Sequence, residues 1–322
     1  MSIIRLLSNF SRHFNFDILW RICRKLSPTD RRNLAWRLLQ SETDEVTFRR
    51  NGTLWTAKTS NAFIMAPLFS HGHYQGDEIN ALLNWINSRN RLTPSRNVIL
   101  DIGANIGTTT IPFAQKTGAH ILAIEPVPEN FQLLERNVAQ NGLAHRITCI
   151  QKAVSQQPGI LEMAVPLGND GGAFVHGNKS TGHSAPSYDF DIRNVTQISV
   201  DTLANILNDC QISPREVAFV WCDVEGCEAN VIETGAALWQ EKVPIFLEIS
   251  PSALKAQNCL QEFPGIIARY FDRFVASNEL VRQSAAAEFR PISELSGVIA
   301  DLLKTKDALT DVLLLPKGFR YH

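Results

Sequence analysis

NVILDIGANIGTTT, residues Asn97 to Thr110, reads as a strand, a turn and the start of a helix. The apolar run Val98 to Leu100 suits a strand covered on both faces. Gly103 and Gly107 permit backbone conformations and close approaches that a side chain would forbid. The helix that follows would offer free N–H groups and partial positive charge to an anion. In an open α/β sheet, ligands collect beyond the carboxyl ends of the strands, where this turn falls. The stretch therefore predicts a nucleotide site.

The same rhythm extends outward. ILAIE (121–125) is a second strand, PENFQLLERNVAQNG a helix closed by Gly142, and ITCIQ (147–151) a third strand. AFVWCD (218–223) and PIFLEIS (244–250) follow, with helices starting near Gly226 and ending near Tyr270. RFVAS (273–277) and DVLLLP (311–316) are two tail strands that would close the sheet edge. Continuous apolar strands joined by helices predict a doubly wound parallel sheet. Between Gly159 and Val200 the rhythm breaks into Gly, Ser and His, which predicts a substrate-facing insertion over about 159–200.

Before about residue 95 the pattern is different. SPTD (27–30) is a helix start, and EVTFRRNGTLWTA is a hairpin turning at Asn51 and Gly52. The division expected is an N-terminal helical and hairpin extension over 1–94 and a nucleotide-binding domain over 95–322. Residues 1 to 40 interleave eight Arg and Lys with apolar residues such as Ile3, Leu7, Phe10 and Trp20, against Asp17 and Asp30 alone. These basic amphipathic stretches would dock on the core, pair two copies as a homodimer, or touch a membrane surface peripherally.

The 322 residues allow a large core, and the formal net charge of -1 gives no global attraction to nucleic acid. No nucleic-acid partner is expected. Six cysteines without CxxC spacing favour a reducing, cytoplasmic location. No apolar run approaches the roughly 20 residues of a membrane-spanning helix.

Glu125 ends the second strand as an acceptor-only side chain where a ribose would present two hydroxyls. A Gly-rich turn followed by an acidic strand end is the signature of an adenosine ligand. The dinucleotide pattern G-x-G-x-x-G, aligned on Gly103, would need glycine where this chain has Asn105 and Thr108. A turn of this kind beside Asp101 suits a cofactor with an amino-acid tail, whose carboxylate meets N–H groups and whose ammonium meets a carboxylate.

VILDIGANIGTTTIPFA, AIEPVPENFQLLERNVAQNG, AVSQQPG, ISVDTLANIL and VWCDVEGCEANVIETG, in this order and spacing, resemble the FkbM family of S-adenosylmethionine-dependent methyltransferases. The resemblance covers roughly residues 70 to 280. It implies a class I methyltransferase fold, Rossmann-like, with a seven-stranded sheet and a terminal antiparallel hairpin. It also implies O-methylation of a sugar, glycolipid, polyketide or similar metabolite, so the partner expected is a small-molecule or glycan acceptor. Carried over by motif, Asp101, Gly103, Ala104, Asn105 and Gly107 would cradle the methionine end. Glu125 would hold the ribose, Pro126 would flank it, and Ala153 and Val154 would border the adenine. Family members often carry Lys where this chain has Trp221.

Methyl transfer leaves the protein to position the acceptor and manage its proton. Asp223 and Glu225 end a buried strand, and a period of two would point both to one side. They are the expected catalytic carboxylates, with Glu248 as a candidate at the pocket rim. His183, in the insertion, is a second possible base. Tyr74 and Glu78 fall where the chain before the first strand would fold over the cofactor. His71 and His73 lack partners at metal-ligand spacing, so no metal is expected. Two other readings stay open: an NAD-dependent oxidoreductase, and a non-catalytic binding protein on the same fold.

Overall fold

The structure, a computed structural model, describes residues 23–166, 172–175 and 192–320. It divides into two compact units, Met1–Tyr74 and Gln75–His322. In the first, helix α1 (Pro28–Glu42) opens on Ser27, whose hydroxyl accepts the Asp30 N–H, with Pro28 at the first position. Strands β1 (Glu45–Arg50) and β2 (Thr53–Lys58) pair about Asn51 and Gly52, both with positive φ, and α2 (Ala62–His71) follows. Trp36, Phe48 and Phe69 form the aromatic centre of this unit, with ring centroids 5.0 to 6.4 Å apart.

The second unit begins with α3 (Gly76–Ser88), a helix that the sequence division at residue 94 assigns to the extension. Its buried Trp85 packs on Phe289 and Phe319, which ties it to the sheet unit. Next come β3 (Val98–Ile102), α4 (Thr110–Lys116), β4 (His120–Ile124), α5 (Pro128–Gln140) and β5 (Ile147–Ile150). After β6 (Ala153–Val154), β7 (Gly159–Pro166), β8 (Phe174–Val175), β9 (Ile192–Asp201) and α6 (Leu203–Asp209), the alternation resumes. It continues with β10 (Val217–Cys222), α7 (Glu228–Thr234), β11 (Ile245–Ile249), β12 (Phe271–Ala276), β13 (Arg290–Pro291) and β14 (Thr310–Pro316).

The large sheet has the order β13-β12-β14-β11-β10-β3-β4-β5. Strands β3, β4, β5, β10 and β11 are parallel, and β14 runs antiparallel to both β11 and β12. Seven strands were expected; the two-residue β13 adds an eighth at the edge. The chain winds away from β3 in one direction through β4 and β5, and in the other through β10 and β11. The order therefore reverses between β3 and β10, the place where an open α/β sheet leaves a crevice.

Every residue of β3 and of β10 is buried, as their unbroken apolar runs require. Trp221 stacks on Phe246 at 4.4 Å between centroids, and Phe113 of α4 meets both Phe219 and Trp221 edge-on. Such ring pairs add about 0.5–1.5 kcal/mol beyond their buried area.

The segment read as an irregular insertion is partly regular. β7 and β9 pair antiparallel over eight positions, β8 pairs with β7, and β6 pairs parallel with β9 to complete a four-stranded sheet. Gly, Ser and His between the strands masked this second sheet from a reading of periodicity.

Candidate functional site

The turn after β3 consumes its own donors. Gly103 and Ala104 both give their N–H to the Ile124 carbonyl, at 2.9 and 3.0 Å. Asn105, in the left-handed region at φ 50°, gives its N–H to Glu125 Oε2 at 2.9 Å, while its Oδ1 accepts the Ile106 N–H at 2.8 Å. Gly107 N–H returns to the Ala104 carbonyl at 2.8 Å. The first three of these donors hold the turn against the end of β4, and the other two close it on itself. Asn137 of α5 braces it from outside by donating to the Ile106 carbonyl at 2.9 Å.

Glu125 Oε1 accepts the Val127 N–H at 2.8 Å, so one buried carboxylate organises both the turn and the start of α5. Burial raises its pKa to about 7 against the opposing pull of these N–H groups. Asp101, fully buried, accepts through Oδ2 from the hydroxyls of Thr109 and Thr110. Burial lifts its pKa to about 6, and its Oδ1 has no hydrogen-bond partner among the described residues. Trp221 is its register neighbour on β10. There its indole fills the place with aromatic core.

A cavity opens over the carboxyl ends of β3 and β10. Gly103, Asn105, Glu125 and Pro126 form one side, Ala153 and Val154 another, and Asp223 and Glu225 a third. Leu161, Met163, Val175 and Val200 of the small sheet supply apolar wall that sequence reading missed. Gly103 is obligatory here, because a Cβ would lie 1.8 Å from the Asp223 carbonyl oxygen and φ is +89°. Ala104, Gly107 and Asp101 shape the turn from behind and do not line the cavity. Glu78 does not line it either; its charge acts on Asp311. His183 lies outside the described residues.

Strand β10 ends at Cys222, and Glu225 sits in the left-handed region at φ 50°, so period-two alternation does not carry to it. The Val224–Gly226 turn nevertheless returns it to Asp223. One carboxylate oxygen each of Asp223, Glu225 and Glu248 lie within 4.8 Å of one another. Register explains Glu248 and adds Asp311. Cys222 pairs with Ile102 and Leu247, and Glu248 pairs with Asp311. Gly103, Asp223, Glu248 and Asp311 thus form one row across four strands. Asp311 was invisible to sequence reading, because the antiparallel register of the tail strand sets its place.

Crowding keeps these acids protonated above their ordinary range. Burial is the largest cause for each. It brings Asp223 to about 6 against a hydrogen bond from Gln75, Asp311 to about 7, and Glu248 to about 11 with help from neighbouring carboxylates. Glu225 is pushed well up by burial and then by Asp223 and Glu228; Glu228 itself rises to about 7. A pKa raised in the folded state gives stability that is complete below about pH 4 and lost as pH rises through 6 to 7. The ligand-free protein should therefore melt roughly 5 °C or more lower at pH 8 than at pH 5.5. A thermal scan with an equal or higher midpoint at pH 8 would contradict this assignment.

Residues 101–278 match the sequence profile of the Methyltransferase FkbM domain. No curated protein sequence matches the chain. Among solved structures, P. horikoshii TYW2 in complex with MeSAdo is 10% identical, with 97% of each chain covered and a TM-score of 0.42. Geranyl diphosphate methyltransferase in complex with SAM is 9% identical, covering 79% of this chain and 90% of that one at a TM-score of 0.40. The complex of aTrm5 with tRNALeu is 11% identical, covering 85% and 53%, also at 0.40. Likeness at this level carries no functional argument.

Proposed function

The chain belongs to the FkbM methyltransferase family, and on that premise we propose that it methylates a hydroxyl of a sugar, glycolipid, polyketide or similar small acceptor. S-adenosylmethionine is the methyl donor. The observation that supports the reading is a single cavity whose wall includes the Gly103–Asn105 turn, Glu125 and Asp223. The residues fit such a cofactor: Gly103 lets the turn lie directly against the Asp223 backbone, so that Gly103, Asn105, Glu125 and Asp223 line one cavity.

In this reading Glu125 holds the ribose diol, Pro126 flanks it, and Ala153 and Val154 border the adenine. The cofactor supplies an electrophilic methyl on a sulfonium. Asp223, with its pKa near 6, is ionised at neutral pH and takes the acceptor's proton. The crowded Glu225, which lines the cavity, keeps its proton and holds the acceptor by a hydrogen bond, with Glu248 close behind it. His183 is proposed as a second base. The six cysteines are free, which supports a reducing, cytoplasmic setting. No helix among the described residues is long and apolar enough to cross a membrane.

The test begins with binding. S-adenosylhomocysteine should bind and NADH should not; tight NADH binding with no response to S-adenosylhomocysteine would restore the oxidoreductase reading. Extracts, glycans and total tRNA offered with isotopically labelled S-adenosylmethionine then identify what gains a methyl group. With that acceptor, Asp223→Asn should lower turnover by about 100-fold or more and leave S-adenosylhomocysteine affinity nearly unchanged. Unaltered turnover would remove Asp223 from the chemistry.

A further inference from the structure

A second cavity, of about 560 Å³, adjoins the one given to the cofactor. It lies between β7 of the small sheet, the first turn of α7 and the chain over 257–266. Ser155, Leu161, Val175, Val200, Cys227 and Asn230 line both spaces. The chain after β10 passes from one to the other: Asp223 lines the first alone, Gly226 the second alone, and Cys227 and Asn230 both. The lining of the second cavity is polar without being cationic. Gln156, Gln157, Asn230 and Gln257 bring side-chain amides, Glu233 and Glu262 bring carboxylates, and no lysine, arginine or histidine joins them among the described residues. Gln156 donates to Glu233 Oε2 at 3.0 Å, while Arg269, which does not line the cavity, pairs with Glu233 Oε1 at 3.1 Å. Gln257 donates to the Val175 carbonyl at 3.3 Å. Both amides are thereby held with their own carbonyl oxygens left to accept. The amide of half-buried Asn230, at the junction, makes no hydrogen bond among the described residues.

We propose that this second cavity is the acceptor's subsite and takes a neutral, polyhydroxylated body, a saccharide chain or glycoside, whose reacting hydroxyl reaches the junction beside Asp223. The inference rests on the reading above in which Asp223 takes the acceptor's proton. The volume falls in the range of small-molecule sites, about 300–1,000 Å³. An amide sets a donor and an acceptor side by side, and a hydroxyl, which is both, satisfies either. A hydrocarbon body would expel water from Gln156, Asn230 and Gln257 and return nothing to them. An anionic body would meet Glu233 and Glu262 with no cation of the described lining to answer it. Ile160 lines the cavity although it is 70% exposed, and offers apolar surface to the C–H face of a sugar ring.

The experiment gives the full chain S-adenosylmethionine labelled in its methyl group together with an extract of the source cells, and separates the products by anion exchange. Label should pass through with neutral material and be destroyed as a polyol by periodate, which cleaves vicinal diols. Label held on the exchanger, as on tRNA or a phosphorylated acceptor, would overturn the proposal, and so would label in neutral material that resists periodate and partitions into organic solvent. Gln156→Leu and Gln257→Leu then keep most of the side-chain volume and remove the amide; neither residue lines the cofactor cavity. With the labelled fraction as acceptor, each should raise KM about tenfold, the size of one hydrogen bond between neutral groups, at unchanged kcat and unchanged S-adenosylhomocysteine affinity. Retained S-adenosylhomocysteine binding also shows that the variants are folded. An unchanged KM in both variants would overturn the proposal, as would a fall in S-adenosylhomocysteine affinity that matches the rise in KM, since the cavity would then serve the cofactor. A chain that binds S-adenosylhomocysteine and labels nothing would remove methyl transfer and the acceptor subsite together. Failure of the unaltered chain to bind S-adenosylhomocysteine would instead sink the cofactor placement on which the inference rests.

Discussion

Gly103→Ala should reduce S-adenosylhomocysteine affinity at least a hundredfold, the largest effect expected of any single methyl group in this protein. The added Cβ would lie 1.8 Å from the Asp223 carbonyl oxygen, and a backbone atom next to a strand end that Asp223 N–H ties to the Ile102 carbonyl cannot swing aside as a side-chain tip can. The positive φ of +89° adds strain for any L side chain. Relief requires β3 and β10 to separate at the point where both meet the cavity. The substitution also threatens folding, so it is read beside Gly118→Ala. No atom lies within 4 Å of a Cβ at Gly118, and its φ is not in the strained range. Calorimetry should find Gly118→Ala unchanged. A Gly103→Ala protein that binds normally would show that the contact yields, and would remove the reason given for the glycine.

Glu125→Ala should cost nearly as much. Two backbone donors, Asn105 N–H and Val127 N–H, would be left buried without acceptors. Hydrogen bonds to a charged group contribute about 1.5–3 kcal/mol each, so the loss of two is about 3–6 kcal/mol, spread between stability and ligand affinity. Glu125→Gln is the informative companion. A carboxylate offers an acceptor on each oxygen, but an amide offers one acceptor and turns its NH2 toward the second donor. Gln should therefore recover less than half of the loss, measured by thermal denaturation and by S-adenosylhomocysteine binding. Full recovery would mean that a single contact holds the turn.

These two residues also mark what sequence could reveal. The β3 turn and Glu125 were legible because strand, turn and acidic strand end follow one another within a single β-α-β unit, where local spacing fixes neighbours. The parallel core was legible for the same reason, since VIL, ILAI, AFVWC and PIFL are uninterrupted apolar runs. Asp311 was not legible. Its place beside Glu248 depends on the antiparallel register of a strand about sixty residues away, and a shift of one residue would turn it to the other face. The small sheet was lost because two of its strands, β6 and β8, are only two residues long. Glu225 reached its expected neighbour by an unexpected route, since the strand had already ended and a left-handed turn brought it back.

That left-handed residue has a consequence for anyone who would improve this protein by selection. A non-glycine residue at φ 50° costs about 1–3 kcal/mol, and Glu225 is crowded by other carboxylates as well. Glycine or asparagine at position 225 would relax the backbone and lighten the crowding of acids in one step. A screen for heat resistance should enrich for such replacements early, because stabilising changes are easily found where function holds a strained conformation. Robust variants from that screen would then accumulate the loss of an acid beside Asp223 unseen. Position 225 is the one to hold fixed when a tougher enzyme is wanted.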